Sequence, residues 1–307
     1  MGTIFVHSGA FHFDDVICAA TARVLGYGPD IKRVRELPED FNKNTDIALD
    51  VGGKLSPEEM IFDHHFRGGN DDGKAAIGKF WSVYGSAVVR SYGRWDEKID
   101  PQRIADRVQL TLIDPINRGD LMIKDWKPIR KDWRHLSASG LISMMNPPFG
   151  YPEDAAEAFE VAVSAAEVIL MGAVNNAISF IPMEDVIDGA NRIQPEILIL
   201  SKGGPWQEHI IGIEEYDDLL YIIFPSDRGG YQIQCLPPEL GSSKQRKPLP
   251  AVLAGLRSEK LAETLEIETG KKFTPSQALF CHDAQFIGGA ETMKEVIAYA
   301  EYAVAYN

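Results

Sequence analysis

Three short apolar runs early in the chain, Thr3-Ile4-Phe5-Val6-His7, Thr45-Asp46-Ile47-Ala48-Leu49-Asp50 and Met60-Ile61-Phe62, all stop on ionisable residues: His7, Asp50 and Asp63-His64-His65. β-Branched and aromatic runs closed by Gly or charge read as strands. Helical spacing of apolar residues follows at Asp15 to Leu25, Ala76 to Tyr92 and Pro101 to Ile113, and Val34 to Leu37 is a further short strand candidate. Alternating strands and helices favour an α/β fold, with a mainly parallel sheet flanked by helices. In such a sheet ligands bind beyond the carboxyl ends of the strands, which is where these ionisable groups fall.

The second half has another rhythm. After a long helical stretch from Glu153 to about Ser179, with Pro152 near its first turn, short runs at Ile197 to Leu200, His209 to Ile213, Leu219 to Phe224 and Tyr231 to Leu236 are separated by turn sequences. They suggest an antiparallel sheet, with helices at Ser258 to Leu265 and Glu291 to Val304 and a strand at Ala278-Leu279-Phe280. With 307 residues, two domains are expected: residues 1–180, and a smaller α+β domain over 181–307. The stretch 68–73, Gly-Gly-Asn-Asp-Asp-Gly, reads as a loop.

Four of the seven histidines lie within the first 65 residues, at run ends rather than on apolar faces. His12 and Asp14 are two apart on the loop after the first strand, so an extended backbone could point both the same way. Asp114, before Pro115, is a further candidate approaching from a neighbouring element. Each has an ordinary alternative: Asp14 as a helix cap, Asp50 as a strand end before Gly52-Gly53, Asp114 as a turn former. Asp63-His64-His65 is harder to explain that way, because three adjacent ionisable groups after an apolar run need a compensating partner.

Mixed imidazole and carboxylate ligands suit manganese or zinc, whereas an all-oxygen shell suits magnesium or calcium. The candidates His7, His12, Asp14, Asp50, His64, His65 and Asp114 exceed what one tetrahedral ion needs. Two cations about 3.5–4 Å apart, sharing a bridging Asp, would activate water and neutralise phosphoryl charge.

Other classes are disfavoured. A net charge of −14 argues against nonspecific coating of nucleic acid, although bound cations could still draw in a short strand or a nucleotide. Cys18, Cys235 and Cys281 are odd in number and lie in apolar segments, so buried reduced thiols are expected. No leader pattern or run approaching the roughly 18 apolar residues of a membrane span stands out, and the expected location is cytoplasmic. Trp81, Trp95, Trp126, Trp133 and Trp206 are scattered and expected to serve packing. Dinucleotide-binding glycine motifs, a P-loop and a serine nucleophile elbow are missing.

The successive segments His7-Ser8-Gly9-Ala10-Phe11-His12-Phe13-Asp14-Asp15, Asp50-Val51-Gly52-Gly53, Phe62-Asp63-His64-His65 and Asp114 resemble the motifs of the melanocyte-proliferating-gene-one family, a branch of the DHH-type phosphoesterases. Ala75 to Gly85, Ser137 to Pro147, Arg246 to Pro250, Gly255-Leu256-Arg257 and His282 with Phe286-Ile287-Gly288-Gly289 extend the resemblance over nearly the whole chain. Departures fall at Ala251 to Ala254, where the family has Trp, at Ala290 in place of Asn and at Ala10 in place of Thr. The resemblance implies a two-metal hydrolase, a 3′-to-5′ exonuclease on RNA or single-stranded DNA, with two manganese ions, zinc or magnesium being the substitutes. It implies that His7, His12 and Asp50 hold one ion, and that Asp14, Asp50, His64 and Asp114 hold the other. His65 would touch water or phosphate, and Asp63 would orient a neighbouring imidazole. On the substrate side it implies Arg246, Arg257 and His282 as phosphate contacts, with the backbone N–H groups of Gly288 and Gly289 opening a helix as an anion site. A nucleotide or pyrophosphate-type phosphohydrolase and a noncatalytic metal or nucleotide sensor are the alternatives. No membrane partner is expected, and the oligomeric state is open, a homodimer included.

Overall fold

The computed structural model describes residues 2–93, 98–121, 137–148, 150–151 and 155–306. Trp95, Trp126 and Trp133, together with Pro152 and Glu153 at the expected start of the long helix, lie outside the described residues. The chain divides into two compact units, Met1–Ile178 and Ser179–Asn307.

The first unit is built on five strands: β1 (Ile4–His7), β2 (Ile31–Val34), β3 (Ile47–Leu49), β4 (Leu55–Ser56) and β5 (Ile61–Phe62), in the order β2-β1-β3-β5-β4. All neighbours pair in parallel except β4, which runs antiparallel to β5 at the edge. The period of two sends Phe5, Ala48 and Ile61 to one face, where they meet Val34, Leu37 and Phe41. Phe62 points the other way and packs edge-on against Phe80, with ring centroids 5.1 Å apart.

That opposite face is covered by α1 (Phe13–Val24) and α2 (Ala76–Tyr92). Every residue of α1 from Phe13 to Ala22 is buried, and its alanines let it sit close to the sheet. Two differences from the sequence reading stand out here. The second strand is Ile31–Val34 rather than Val34 to Leu37, because its register is set by β1, from Ile4 opposite Ile31 to His7 opposite Val34. The helical pattern beyond Pro101 is interrupted: α3 (Pro101–Val108) passes through a π-helical turn, Gln109–Ile113, into α4 (Asp114–Asp120). Such turns recur at functional sites.

After α5 (Ala138–Ser143) comes α6 (Ala155–Phe180), whose buried residues Phe159, Ala162, Val163, Ala166, Leu170, Val174 and Ala177 recur at helical spacing on one face. Contrary to the sequence expectation, the helical region Ala155–Asp188 is long and apolar enough to cross a membrane, by length and composition. A third of its most apolar window is buried within the protein.

The second unit opens with α7 (Met183–Asp188) and carries β6 (Asn191–Gln194), β7 (Ile197–Ile199), β8 (Tyr221–Pro225), β9 (Tyr231–Cys235), β10 (Phe280–Cys281) and β11 (Ile287–Ala290). The strand order is β10-β11-β9-β8-β7-β6, and the sheet is mixed, because β7 and β8 pair in parallel. Ile222, Leu198 and Leu236 pack with Trp206 and Met183 on one face, while Tyr221, Ile223 and Ile233 face α9 (Ser258–Thr269) and α10 (Met293–Ala305). The strand expected at His209 to Ile213 is instead α8 (Gln207–Ile210), ending near Gly212 with its φ of 84°. Trp206 and Ile210, four apart, both reach the same core, and this favours a helical turn over an extended run.

Candidate metal centre

Because β1, β3 and β5 are adjacent and parallel, their carboxyl ends share one edge of the sheet, and His7, Asp50 and the Asp63-His64-His65 turn meet there. Asp50 is almost fully buried and sits at φ 58°, a left-handed conformation that asparagine and aspartate tolerate better than most residues. Its Oδ1 lies 3.2 Å from His64 Nε2 and 3.2 Å from His65 Nδ1, while its Oδ2 lies 3.4 Å from His7 Nε2. One carboxylate thus faces imidazoles on both sides, as a bridging ligand must.

Each imidazole is held from behind. His7 donates Nδ1–H to the Ser8 carbonyl at 2.9 Å, which leaves Nε2 facing Asp15 Oδ2 at 3.1 Å and Asp50. His64 has Nδ1 against Asn70 Oδ1 at 2.7 Å, and Nε2 aimed at Asp120 Oδ2 at 3.3 Å and Asp14 Oδ2 at 3.8 Å. Ligating histidines are typically fixed in this way, through the ring nitrogen that does not bind metal. Asp63 is occupied with the turn itself: its Oδ1 accepts from the amides of His64 (2.7 Å) and His65 (2.9 Å), and its Oδ2 from Gly53 N (2.6 Å).

Asp14 accepts from Ala76 N at 3.0 Å and Ile77 N at 2.8 Å, so it caps α2, whereas the cap considered from sequence was that of its own helix. The same carboxylate also faces His64. The amide of His12 donates to Asp15 Oδ1 at 2.8 Å. The His12 ring is largely exposed, 6.1 Å from the His7 ring and 4.0 Å from Asp120 Oδ1.

Asp114 does not join this group; it accepts from Gln109 across the π-helical turn. Asp120 stands there instead, six residues on and therefore on a different side of α4. Ile113, Ile116, Asn117 and Asp120 form an i, i+3, i+4, i+7 stripe facing inward, a pattern visible in the sequence that would have singled out Asp120. Asp15 and Asn70 were likewise not among the sequence candidates.

Among the described residues, two sets of ligand atoms lie close enough to share an ion: Asp50, His64 and His65, and Asp14, His64 and Asp120. Asp50 Oδ1 and His64 Nε2 are buried and face each other, Asp15 Oδ2 is buried against His7 Nε2, and none of the three has a hydrogen-bond partner among the described residues. Buried polar atoms left in that state are costly, and cations among them would satisfy all of them together. The donor set therefore fits divalent metal.

Electrostatics point the same way. Burial, together with the negative charges of Asp50 and Asp120, pushes the Asp14 carboxyl well above the usual range. Burial also raises Asp120, helped by Asp50. Burial would raise Asp50 too, but His64, His65 and His7 overcome it and hold it low. For His7, burial opposes the charged form, yet Asp15, the Ser8 carbonyl and Asp50 push it up to about 9. Contact with Asp50 and Asp63 takes His65 up to about 10.

At neutral pH the His7 imidazole carries a proton that an ion must displace. Mn²⁺ affinity should therefore climb between pH 6 and 8.5, with proton release visible as a dependence of calorimetric enthalpy on buffer ionisation. A flat affinity over that range would contradict this picture. The sign for the ion-free protein is opposite. The stabilising pairing of His7 is complete below its ordinary value of 6.5 and is lost as pH rises through about 9.

In the second unit, Arg246 donates through Nη1 to the carbonyls of Tyr216 (2.6 Å), Asp217 (3.0 Å) and Leu219 (3.0 Å), which braces a loop. Arg246→Met should lower unfolding free energy by about 1–2 kcal/mol, read from urea midpoints; an unchanged midpoint would contradict that bracing role. Gly288 and Gly289 lie inside β11, paired with β10 and β9, and do not open a helix. A Cβ on Gly289 would come within 2.7 Å of the Ala278 carbonyl oxygen, so glycine is needed there for strand packing. The N-terminus of α10 is closed by its own capping box, Thr292 with Glu295. Arg257 and His282 do share a cleft of about 610 Å³ with Arg228, Gln232 and Ser276, and the Ser276 hydroxyl is buried there without a partner among the described residues.

Residues 3–304 match the MYG1_exonuc family, described as Uncharacterised protein family (UPF0160). The chain is 25% identical to the MYG1 exonuclease of Homo sapiens over 329 aligned positions, covering 98% of this chain and 85% of that protein. It is 26% identical to the MYG1 exonuclease of Bos taurus, over 98% of this chain and 84% of that one. Identity to the MYG1 protein YER156C of Saccharomyces cerevisiae is 26%, over 98% of this chain and 95% of that one. Since the match runs through both compact units, the chain belongs to the MYG1_exonuc family.

Proposed function

We propose that the protein is a metal-dependent phosphoesterase of the DHH type, acting as a 3′-to-5′ exonuclease on RNA or single-stranded DNA with two divalent cations, manganese foremost. The observation that carries this reading is the convergence of Asp14, Asp50, His64 and Asp120 around buried atoms without hydrogen-bond partners. Relatives that bear the name exonuclease support the nuclease assignment.

His7, His12 and Asp50 would hold one cation, with Asp15 facing the same nitrogen of His7, and Asp14, Asp50, His64 and Asp120 the other. A cation pair of this kind acidifies a water and neutralises charge developing on a phosphoryl oxygen. His65, largely exposed at the rim, is placed to meet a phosphate oxygen, and Asp63 fixes the turn that presents it. Arg35 lines the same cleft of about 580 Å³ as His7, His12 and His65, and would draw in phosphate against the overall negative charge. Arg257 and His282 remain the phosphate contacts proposed for the second unit.

Incubation with Mn²⁺ and 5′-end-labelled RNA should yield a ladder shortening from the 3′ end. Turnover confined to free nucleotides or pyrophosphate would replace the exonuclease reading with a small-molecule hydrolase. Binding without turnover would replace it with a sensor.

A further inference from the structure

Beside the metal cleft the first unit carries a larger cavity, about 880 Å³, to which none of the roles above has been given. The two share one loop: His7 and His12 line the cleft, and the intervening Ser8, Gly9 and Ala10 line the cavity. Its walls are mostly apolar, from Ile31, Pro147, Pro148, Ala156 and Phe159. A volume and lining of this kind suit a small organic ligand with a few fixed polar contacts.

The one strong polar feature is Arg33. Its guanidinium lies 4.8 Å from the centre of the Phe159 ring and 5.5 Å from that of Phe11, and Nη2 donates to the Gly9 carbonyl. Nε is buried and has no partner among the described residues. The nearby Glu160 is paired with Arg23. Asn146 has its amide committed to both backbone groups of Phe11, at 2.9 and 2.8 Å, which fixes the loop above the cavity.

We propose that this cavity seats the nucleobase of a nucleotide whose phosphate lies at the adjacent metal centre. The inference rests on the phosphoesterase reading given above. A phosphate alone would leave the apolar walls uncovered, and an alkyl chain would leave the Arg33 donors unused. A flat heterocycle edged with carbonyl oxygens and ring nitrogens satisfies both, stacking on proline and aromatic faces while accepting from the guanidinium. The fixed loop and stacked arginine form a preorganised seat.

The test compares adenosine 5′-monophosphate with ribose 5-phosphate in the presence of Mn²⁺, by calorimetry, for the wild type, Ala156→Phe and Arg33→Met. The wild type should bind the nucleotide at least tenfold more tightly than the sugar phosphate. Filling the cavity through Ala156→Phe should remove most of that difference, as should Arg33→Met. Ala156→Phe keeps the test valid if loss of Arg33 disturbs the His7–His12 loop. Equal binding of the two ligands, or a difference that survives Ala156→Phe, would overturn the proposal. Both ligands are phosphomonoesters, which the proposed diesterase does not cleave, so the result stands apart from hydrolysis. Base-dependent binding without Mn²⁺-driven turnover would leave the cavity assigned and sink the phosphoesterase reading; turnover without base-dependent binding would do the reverse.

Discussion

Asp50→Asn is expected to lower kcat/KM for a phosphodiester by about 10³-fold or more, about 4 kcal/mol of transition-state stabilisation. Asparagine is the better replacement than alanine because it tolerates the left-handed backbone at this position, φ 58°. The change keeps the shape while removing the one carboxylate that faces His7 on one side and His64 and His65 on the other. Folding should weaken only modestly, because the lost pairing with His7, His64 and His65 is partly offset by relief of the repulsion that raises Asp14 and Asp120. The thermal midpoint of the ion-free variant should fall by no more than a few degrees. A loss of activity under tenfold would argue against a bridging role, and a collapse of the fold would argue against a purely chemical one.

The second large effect separates two aspartates on one short helix. Asp120→Asn should cost about 10²-fold in kcat/KM, close to 3 kcal/mol, and weaken Mn²⁺ binding, because Asp120 Oδ2 completes the set around His64 Nε2 at 3.3 Å. Asp114→Asn should change either quantity by less than about threefold, since its carboxylate serves Gln109 across the π-helical turn. Metal titrations and steady-state rates on the two variants side by side decide the matter. The reverse ranking would mean that α4 presents Asp114 to the ions.

Why Asp114 drew attention from sequence while Asp120 did not is instructive. Asp114 stands before a proline and after an apolar run, a local signal, whereas Asp120 announces itself only through its spacing from Ile113, Ile116 and Asn117. The parallel arrangement of β1, β3 and β5 was legible because each run ended on chemistry-bearing residues, and strand ends of a parallel sheet lie together. Asn70 was not legible, since nothing in a glycine-rich loop says that one amide oxygen will hold His64. In the second unit, β6 and β11 were missed because Asn191–Gln194 is polar and Ile287–Ala290 holds two glycines, both poor strand signals. The glycine pair read as opening a helix is instead a close strand approach, because its pairing with β9 and β10 depends on residues distant in sequence, and Arg246 also braces a loop through Nη1.

Anomalous diffraction from crystals grown with Mn²⁺ tests the central claim most directly. Two peaks should appear about 3.5–4 Å apart, one on each side of the Asp50 carboxylate, the second also touching Asp14, His64 and Asp120. No peak within bonding distance of Asp50, with the protein saturated in manganese, would contradict the account.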